Sequence, residues 1–211
     1  MLKRVIIILP ALLFAFGVLM TSILRTASVK YEFSDNLSKT GSLKVLGDET
    51  VNINYTLAFP GKILPDHPLW SIKALRDKLW LSVTTNPSRK AELKLLFADK
   101  RVGMSKILFE KENYEIGYST LTKAEKYLEE ASVQEKINRD NGLDTTEFLK
   151  GLNYSSLKHI QTIEEIMKIA PDDVKPNLIQ VHNYPRSVYE KSMHALNEKG
   201  LQAPENPFDR E

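Results

Sequence analysis

The chain has 211 residues, with 29 Lys and Arg against 27 Asp and Glu and no cysteine, which excludes a disulfide framework and a lipid-modified cysteine anchor. Lys3, Arg4, Arg25 and Lys30 fall in the first 30 residues with no acid among them, so the remainder holds 25 basic against 27 acidic residues. That slightly acidic remainder lacks the positive footprint of a nucleic-acid binder.

Twenty consecutive uncharged residues, Val5 to Leu24, follow the Lys3 and Arg4 pair. As a helix rising about 1.5 Å per residue, this segment is roughly 30 Å long, the thickness of a bilayer's hydrocarbon core. The sequence therefore predicts a single-span membrane anchor over residues 1–30. It reads as a retained signal-anchor, because its apolar stretch exceeds the roughly 7 to 15 residues of a cleavable signal. Cleavage after Ser28, with Thr26 and Ser28 as the small residues, is the alternative and would give a secreted domain. Arg25 and Lys30 behind the span balance Lys3 and Arg4 before it, so charge does not set the orientation. The N-terminal position of the span places the rest of the chain on the extracytoplasmic side of the cell membrane.

Residues 31–49 are polar and read as a flexible spacer. Thr50 to Leu57 then alternates, with Val51, Ile53, Tyr55 and Leu57 on one side and Asn52, Asn54 and Thr56 on the other. Such alternation marks an extended, half-buried segment. With no second alternating run to pair with, it is expected as an arm laid across helices, those four residues inward. Phe59 to Pro68 contains three prolines and Gly61 and reads as a rigid turn.

Five helical segments follow. The first is expected from Asp66, as N-cap, to about Val83, with Leu69, Ile72, Leu75, Leu79 and Val83 facing the core. The second opens with Asn86 as cap and Pro87 at its first position and runs to about Lys111. Its apolar residues, among them Leu93, Leu95, Leu96, Phe97, Val102, Ile107, Leu108 and Phe109, cover more than half its circumference, which predicts the central helix. The third spans about Tyr114 to Arg139, on the repeat Tyr114, Tyr118, Leu121, Ala124, Leu128 and Ala131, and Asn141 with Gly142 stops it. The fourth begins with a capping box from Asp144 to Glu147, carries Leu149, Leu152, Ile160, Ile163, Met167 and Ala170 on one stripe, and ends at Pro171. The fifth runs from about Asp172 to Glu198, with Pro185 expected to kink or split it. Residues 200–211 are polar and proline-rich and are expected to be disordered. The predicted fold is all-α: an N-terminal transmembrane helix, then a short extended arm and an antiparallel up-and-down bundle of about five helices over residues 50–199.

Tyr55 to Val102 reads YTLAFPGKILPDHPLWSIKALRDKLWLSVTTNPSRKAELKLLFADKRV. Its proline-glycine turn, its "LPD.PL...K.LRD" helix start and its "NP..KAEL.L..AD.R" second helix resemble a bacterial domain of unknown function, number five-six-six-seven. With the lysine- and glutamate-rich third helix, the resemblance covers about Tyr55 to Ala131. It implies a membrane-anchored, extracytoplasmic helical domain and carries no known activity or catalytic residue. Trp70 stands where the family has an aromatic such as Tyr, and Asn86 where it has Asp.

Chemistry-bearing residues are few. Asp66 and His67 read as a cap and a first-turn residue. Arg76 and Asp77, with Asp99, Lys100 and Arg101, are candidates for ion pairs between the first two helices. His159 and His182 are isolated. Glu190 and His194 sit four apart on one helix face, but a lone pair supplies too few ligands for a metal site. No phosphate-binding glycine loop or nucleophile motif is present. The segment around Tyr114, Gly117, Tyr118 and Ala124 loosely resembles one tetratricopeptide unit, yet a solenoid needs several.

The expected function is non-enzymatic, with no cofactor, no metal and no small-molecule substrate: an envelope-anchored module that binds or scaffolds a protein partner. The alternative is contact with a membrane or cell wall through the first helix, whose Trp70, Lys73 and Trp80 are the candidate interaction surface. Packing of that helix's aliphatic stripe in the core, with its lysines reaching out to water, is the competing expectation. A weak metal sensor at Glu190 and His194 is the third.

Overall fold

The computed structural model describes residues 52–208. The predicted span Val5 to Leu24, the spacer, and Thr50 and Val51 of the arm lie outside the described residues. Among those described there are five helices and no strand: α1 Trp70–Val83, α2 Pro87–Glu110, α3 Tyr114–Asp140, α4 Thr146–Ile169 and α5 Lys175–Glu198. No described helix is long and apolar enough to cross a membrane.

Local chemistry explains most boundaries. Asn86 accepts a hydrogen bond from the Arg89 N–H at 3.0 Å and caps α2, with Pro87 as its first residue. Gly142, at φ 79°, reverses the chain after α3. Two caps differ from expectation. The Asp144 carboxylate takes the Thr146 N–H and hydroxyl at 3.0 and 2.7 Å, while Glu147 pairs with Lys150, so no reciprocal capping box forms. Asp66 does not cap α1 either. It faces Lys111 at 3.6 Å, α1 starts four residues later, and the His67 Nδ1 accepts the Leu69 N–H at 3.1 Å.

Helices α2 to α5 form the bundle. Helix α2 packs along α3 and α4, and α5 packs along α4 and α3. The order around the bundle is thus α2, α3, α5, α4, with α3 and α4 diagonal. Consecutive helices run antiparallel, but α2 lies parallel to α4: Asp99 meets Ser155 at one level and Lys106 meets Glu165 at the next. Two helical hairpins laid side by side replace the expected simple up-and-down circuit. The predicted stripes of α2, α3 and α4 fill the interior, with Val102, Phe109, Leu121, Ala124, Ile163 and Ile166 in one cluster and Leu95, Leu128 and Leu152 in the next. Gly117 lets the Phe109 ring lie against α3, since a Cβ there would come within 2.8 Å of it. That contact accounts for Gly117 without a tetratricopeptide unit. Pro185 is buried inside α5, which continues through it as one helix.

The arm lies on this bundle as its alternation predicts. Ile53, Tyr55 and Leu57 are half-buried while Asn52, Asn54 and Thr56 are exposed. Ile53 packs beside Leu157, Ile160 and Tyr189, and Leu57 beside the Val102 cluster. The tail departs from expectation. Leu201 and Ala203 pack against Leu149 and Leu196, the Tyr189 hydroxyl donates to the Pro204 carbonyl at 2.8 Å, and Phe208 joins the Ile53 cluster. Aromatic and aliphatic residues among the prolines supply the contacts that overall polarity concealed; residues 209–211 lie outside the description.

Candidate functional site

Helix α1 inverts its predicted packing. Leu69, Ile72, Leu75 and Val83, expected in the core, are 49%, 60%, 67% and 56% exposed. The seam to α2 is polar and aromatic instead. Asp77 is buried, 2.8 Å from the Arg76 guanidinium and 3.7 Å from that of Arg101 on α2. The Arg101 guanidinium in turn lies 4.6 Å from the Tyr127 ring centroid, 5.4 Å from Phe97 and 6.0 Å from Trp70, within cation–π range. Trp80 meets Phe97 edge-on at 5.9 Å, and Phe97 meets Tyr127 in the same way at 5.8 Å. Lys73 donates to the Pro60 and Ile63 carbonyls at 3.0 and 2.8 Å, tying α1 to the rigid turn. Burial, helped by the charges of Arg76, Lys100 and Arg101 and opposed by Asp77, lowers the Lys73 pKa to about 8.

This placement corrects the candidate surface. Trp80 is buried, and Trp70 is half-buried with Lys73 5.2 Å over its ring. Trp70, Lys73 and Trp80 belong to the inner seam, and the face open to solvent is the aliphatic one. The expectation of an aliphatic core face fails at those four positions, because Asp77, Arg101 and the aromatics bind the opposite side, whereas Leu79 of the same stripe is half-buried against the Trp80 and Phe97 cluster. At about 3.6 residues per turn, Leu69, Ile72, Leu75, Leu79 and Val83 occupy an arc of roughly 120°. Arg76 falls just inside one edge, between Val83 and Leu69, and Lys78 beyond the other.

A second polar centre lies inside the bundle. His159 on α4 is fully buried, its Nδ1 2.8 Å from Glu125 Oε1 on α3 and its Nε2 3.3 Å from Asp99 Oδ1 on α2. Burial alone would depress its pKa. The charge of Glu125 and the hydrogen bonds to Asp99 and Glu125 outweigh burial and raise it to about 9, so both ring nitrogens donate. Ser155 donates to Asp99 Oδ1 and the Tyr55 hydroxyl of the arm to Oδ2, both at 2.7 Å. Asp99 therefore points inward, not toward the ion pair expected of it between the first two helices; Asp77 makes that pair. Ser155 donates to the carboxylate rather than to the imidazole, and Ser155, His159 and Glu125 have no exposed surface. Such an arrangement offers no activated nucleophile to a substrate and instead ties the arm, α2, α3 and α4 in one register. The sequence shows His159 only as an isolated histidine. Its position on the buried stripe one turn from Ser155 was the signal available.

Glu190 and His194 are both exposed on α5, and no three His, Cys, Asp or Glu side chains among the described residues are grouped to hold a metal ion. His182 on the same helix is 3.9 Å from Glu164.

Fold and surface together define a small all-helical domain: a four-helix bundle with a buried ionic centre and a peripheral amphipathic helix whose apolar side faces out. Residues 62–173, more than half of the chain, match the family model of a domain of unknown function (DUF5667), and the chain belongs to that family. The matched region spans α1 to α4 and stops before α5. No curated protein and no solved structure matches the chain.

Proposed function

We propose that this protein is a non-enzymatic docking module, held at the outer face of the cell membrane by the uncharged segment Val5 to Leu24, and that the outer side of α1 is its contact surface. One observation carries the reading: α1 and the Leu69 before it turn four large aliphatic side chains to solvent while burying a charged and aromatic seam. Full burial of each such side chain contributes about 1.5 to 3 kcal/mol, so a partner surface over the stripe would be stabilised substantially. Contiguous exposed apolar surface of this kind marks an interaction site. The buried ionic centre supports the same reading, because it gives the contact helix a rigid base.

Photocrosslinking in native membranes tests it. A crosslinking side chain at position 72 or 75 of the full chain should capture neighbours, whereas one at position 190, exposed on α5 diagonal to α2, should capture few. Equal yields of protein and lipid adducts at 72 and 190 would remove α1 as a docking surface.

A further inference from the structure

We propose that the occupant of this surface is an anionic lipid bilayer, with α1 lying in the interface of the membrane that tethers the chain; the inference rests on the docking reading above.

Charge is the first argument. Lys62 to Arg101 holds nine basic residues against four acidic, a net of +5, whereas residues 102–211 hold 14 against 19, a net of −5. The segment that carries the apolar stripe is thus the positive part of the domain. Lys62 and Lys78 are exposed, and Arg76 keeps about a third of its side-chain surface open. Aliphatic residues over a limited arc with cations at or near its edges are the pattern of a helix lying flat in a headgroup layer. The same charge opposes pairing of two copies through this face, because each would bring its own positive segment.

Shape is the second argument. Among the described residues α1 rests mainly on α2, and its outer side, with Ile72 and Leu75 60% and 67% exposed, stands as a ridge. A flat, deformable surface can cover such a ridge along its whole length.

The chain outside the described residues is the third. Residues 25–51, 27 in number, separate the uncharged segment from the first described residue. A segment of that length reaches at most about 90 Å, whatever its conformation. Tethered this closely, the domain meets the bilayer at a high effective concentration, and even a weak interfacial helix would dock.

The absence of cysteine makes the test direct. The full chain carrying Ile72→Cys, Leu75→Cys or Glu190→Cys is labelled with a fluorophore and reconstituted into vesicles of phosphatidylcholine, with or without phosphatidylglycerol, that contain a headgroup-level quenching lipid. Quenching at 72 and 75 should exceed that at 190 several-fold when phosphatidylglycerol is present, and should fall without it or at high salt. Lys62→Ser and Lys78→Ser should each lower the docked-to-undocked ratio roughly fivefold. Quenching at 72 and 75 no greater than at 190, or a chain that fails to float with the vesicles, overturns the inference. If quenching is absent while crosslinks from position 72 reach a protein in native membranes, the bilayer is the wrong occupant and the docking reading stands. If both are absent, both fall.

Discussion

At the scale of single residues, the strongest commitment is the proton on His159. Its pKa is about 9 in the fold against 6.5 for a free histidine, so its contribution is fully present below about pH 6.5 and is lost as pH rises through about 9. The shift corresponds to about 3 kcal/mol. Lys73 acts in the opposite sense: with its pKa depressed to about 8 from 10.5, its deprotonation favours the fold between those values. The histidine effect is therefore cleanest below pH 8. Urea midpoints measured from pH 6 to 8 should fall for the parent, and His159→Gln should be less stable at pH 6 with a flatter profile. A parent midpoint constant over that range would mean that the buried imidazole is uncharged. Gly117→Ala should also destabilise, by about 1 to 3 kcal/mol from overpacking, despite the helix-propensity gain of about 1 kcal/mol. The added Cβ would meet the buried Phe109 ring at 2.8 Å, and thermal melts that show a gain would locate slack there. Leu121→Ala, at a position with no exposed surface, should cost about 2 to 5 kcal/mol in the same assay.

At the scale of elements, the arm and α1 are fastened by polar groups more than by aliphatic packing. The arm contributes the Tyr55 hydroxyl to Asp99, and its Ile53 N–H donates to Gln161 Oε1 at 3.0 Å. Removing residues 50–58 should lower the melting temperature and increase binding of a hydrophobic dye, because Asp99 loses a donor and the clusters beneath Ile53 and Leu57 are uncovered. Tyr55→Phe isolates the polar part: it should cost about 1 kcal/mol or more with no rise in dye binding. An unchanged melting temperature after the deletion would reduce the arm to a linker. Helix α1 depends on the Asp77 and Arg101 pair, so Asp77→Ala should loosen it by leaving two guanidinium groups without their carboxylate. Hydrogen exchange would report that loosening as faster exchange in Trp70–Val83 than in α2 to α5.

At the scale of the whole molecule, the four-helix bundle is a rigid base and α1 a peripheral element resting on it. The family match covers α1 to α4, yet α5 completes the interior: Leu178 and Val181 belong to the largest cluster, and Val188 to the next. The positive segment and the negative remainder give the domain a charge asymmetry that the near-neutral total hides. Helix number, the Asn86 cap, the Gly142 stop and the arm's alternation were legible, because each depends on neighbours within a few residues. The His159 centre was not, because Asp99, Glu125 and His159 come from three helices. Each alone reads as an ordinary polar residue.

The sequence by itself determined an all-helical domain, the stripes that pack α2 to α4, the extended arm and the family; the central place expected of α2 was not among them, since α2 is one corner of a ring of four helices. Periodicity and capping are local, and a complete apolar stripe has only one way to escape water within a bundle. Only the tertiary structure decided which side of α1 faces inward, that α3 and α4 lie diagonal, and that the tail returns over α5. In α1, periodicity offered an aliphatic face and an aromatic, charged face of comparable extent. Arg101, Tyr127 and Phe97, brought together by the packing of α2 on α3, bind the second face through Asp77, Trp70 and Trp80, and so leave the aliphatic face outside.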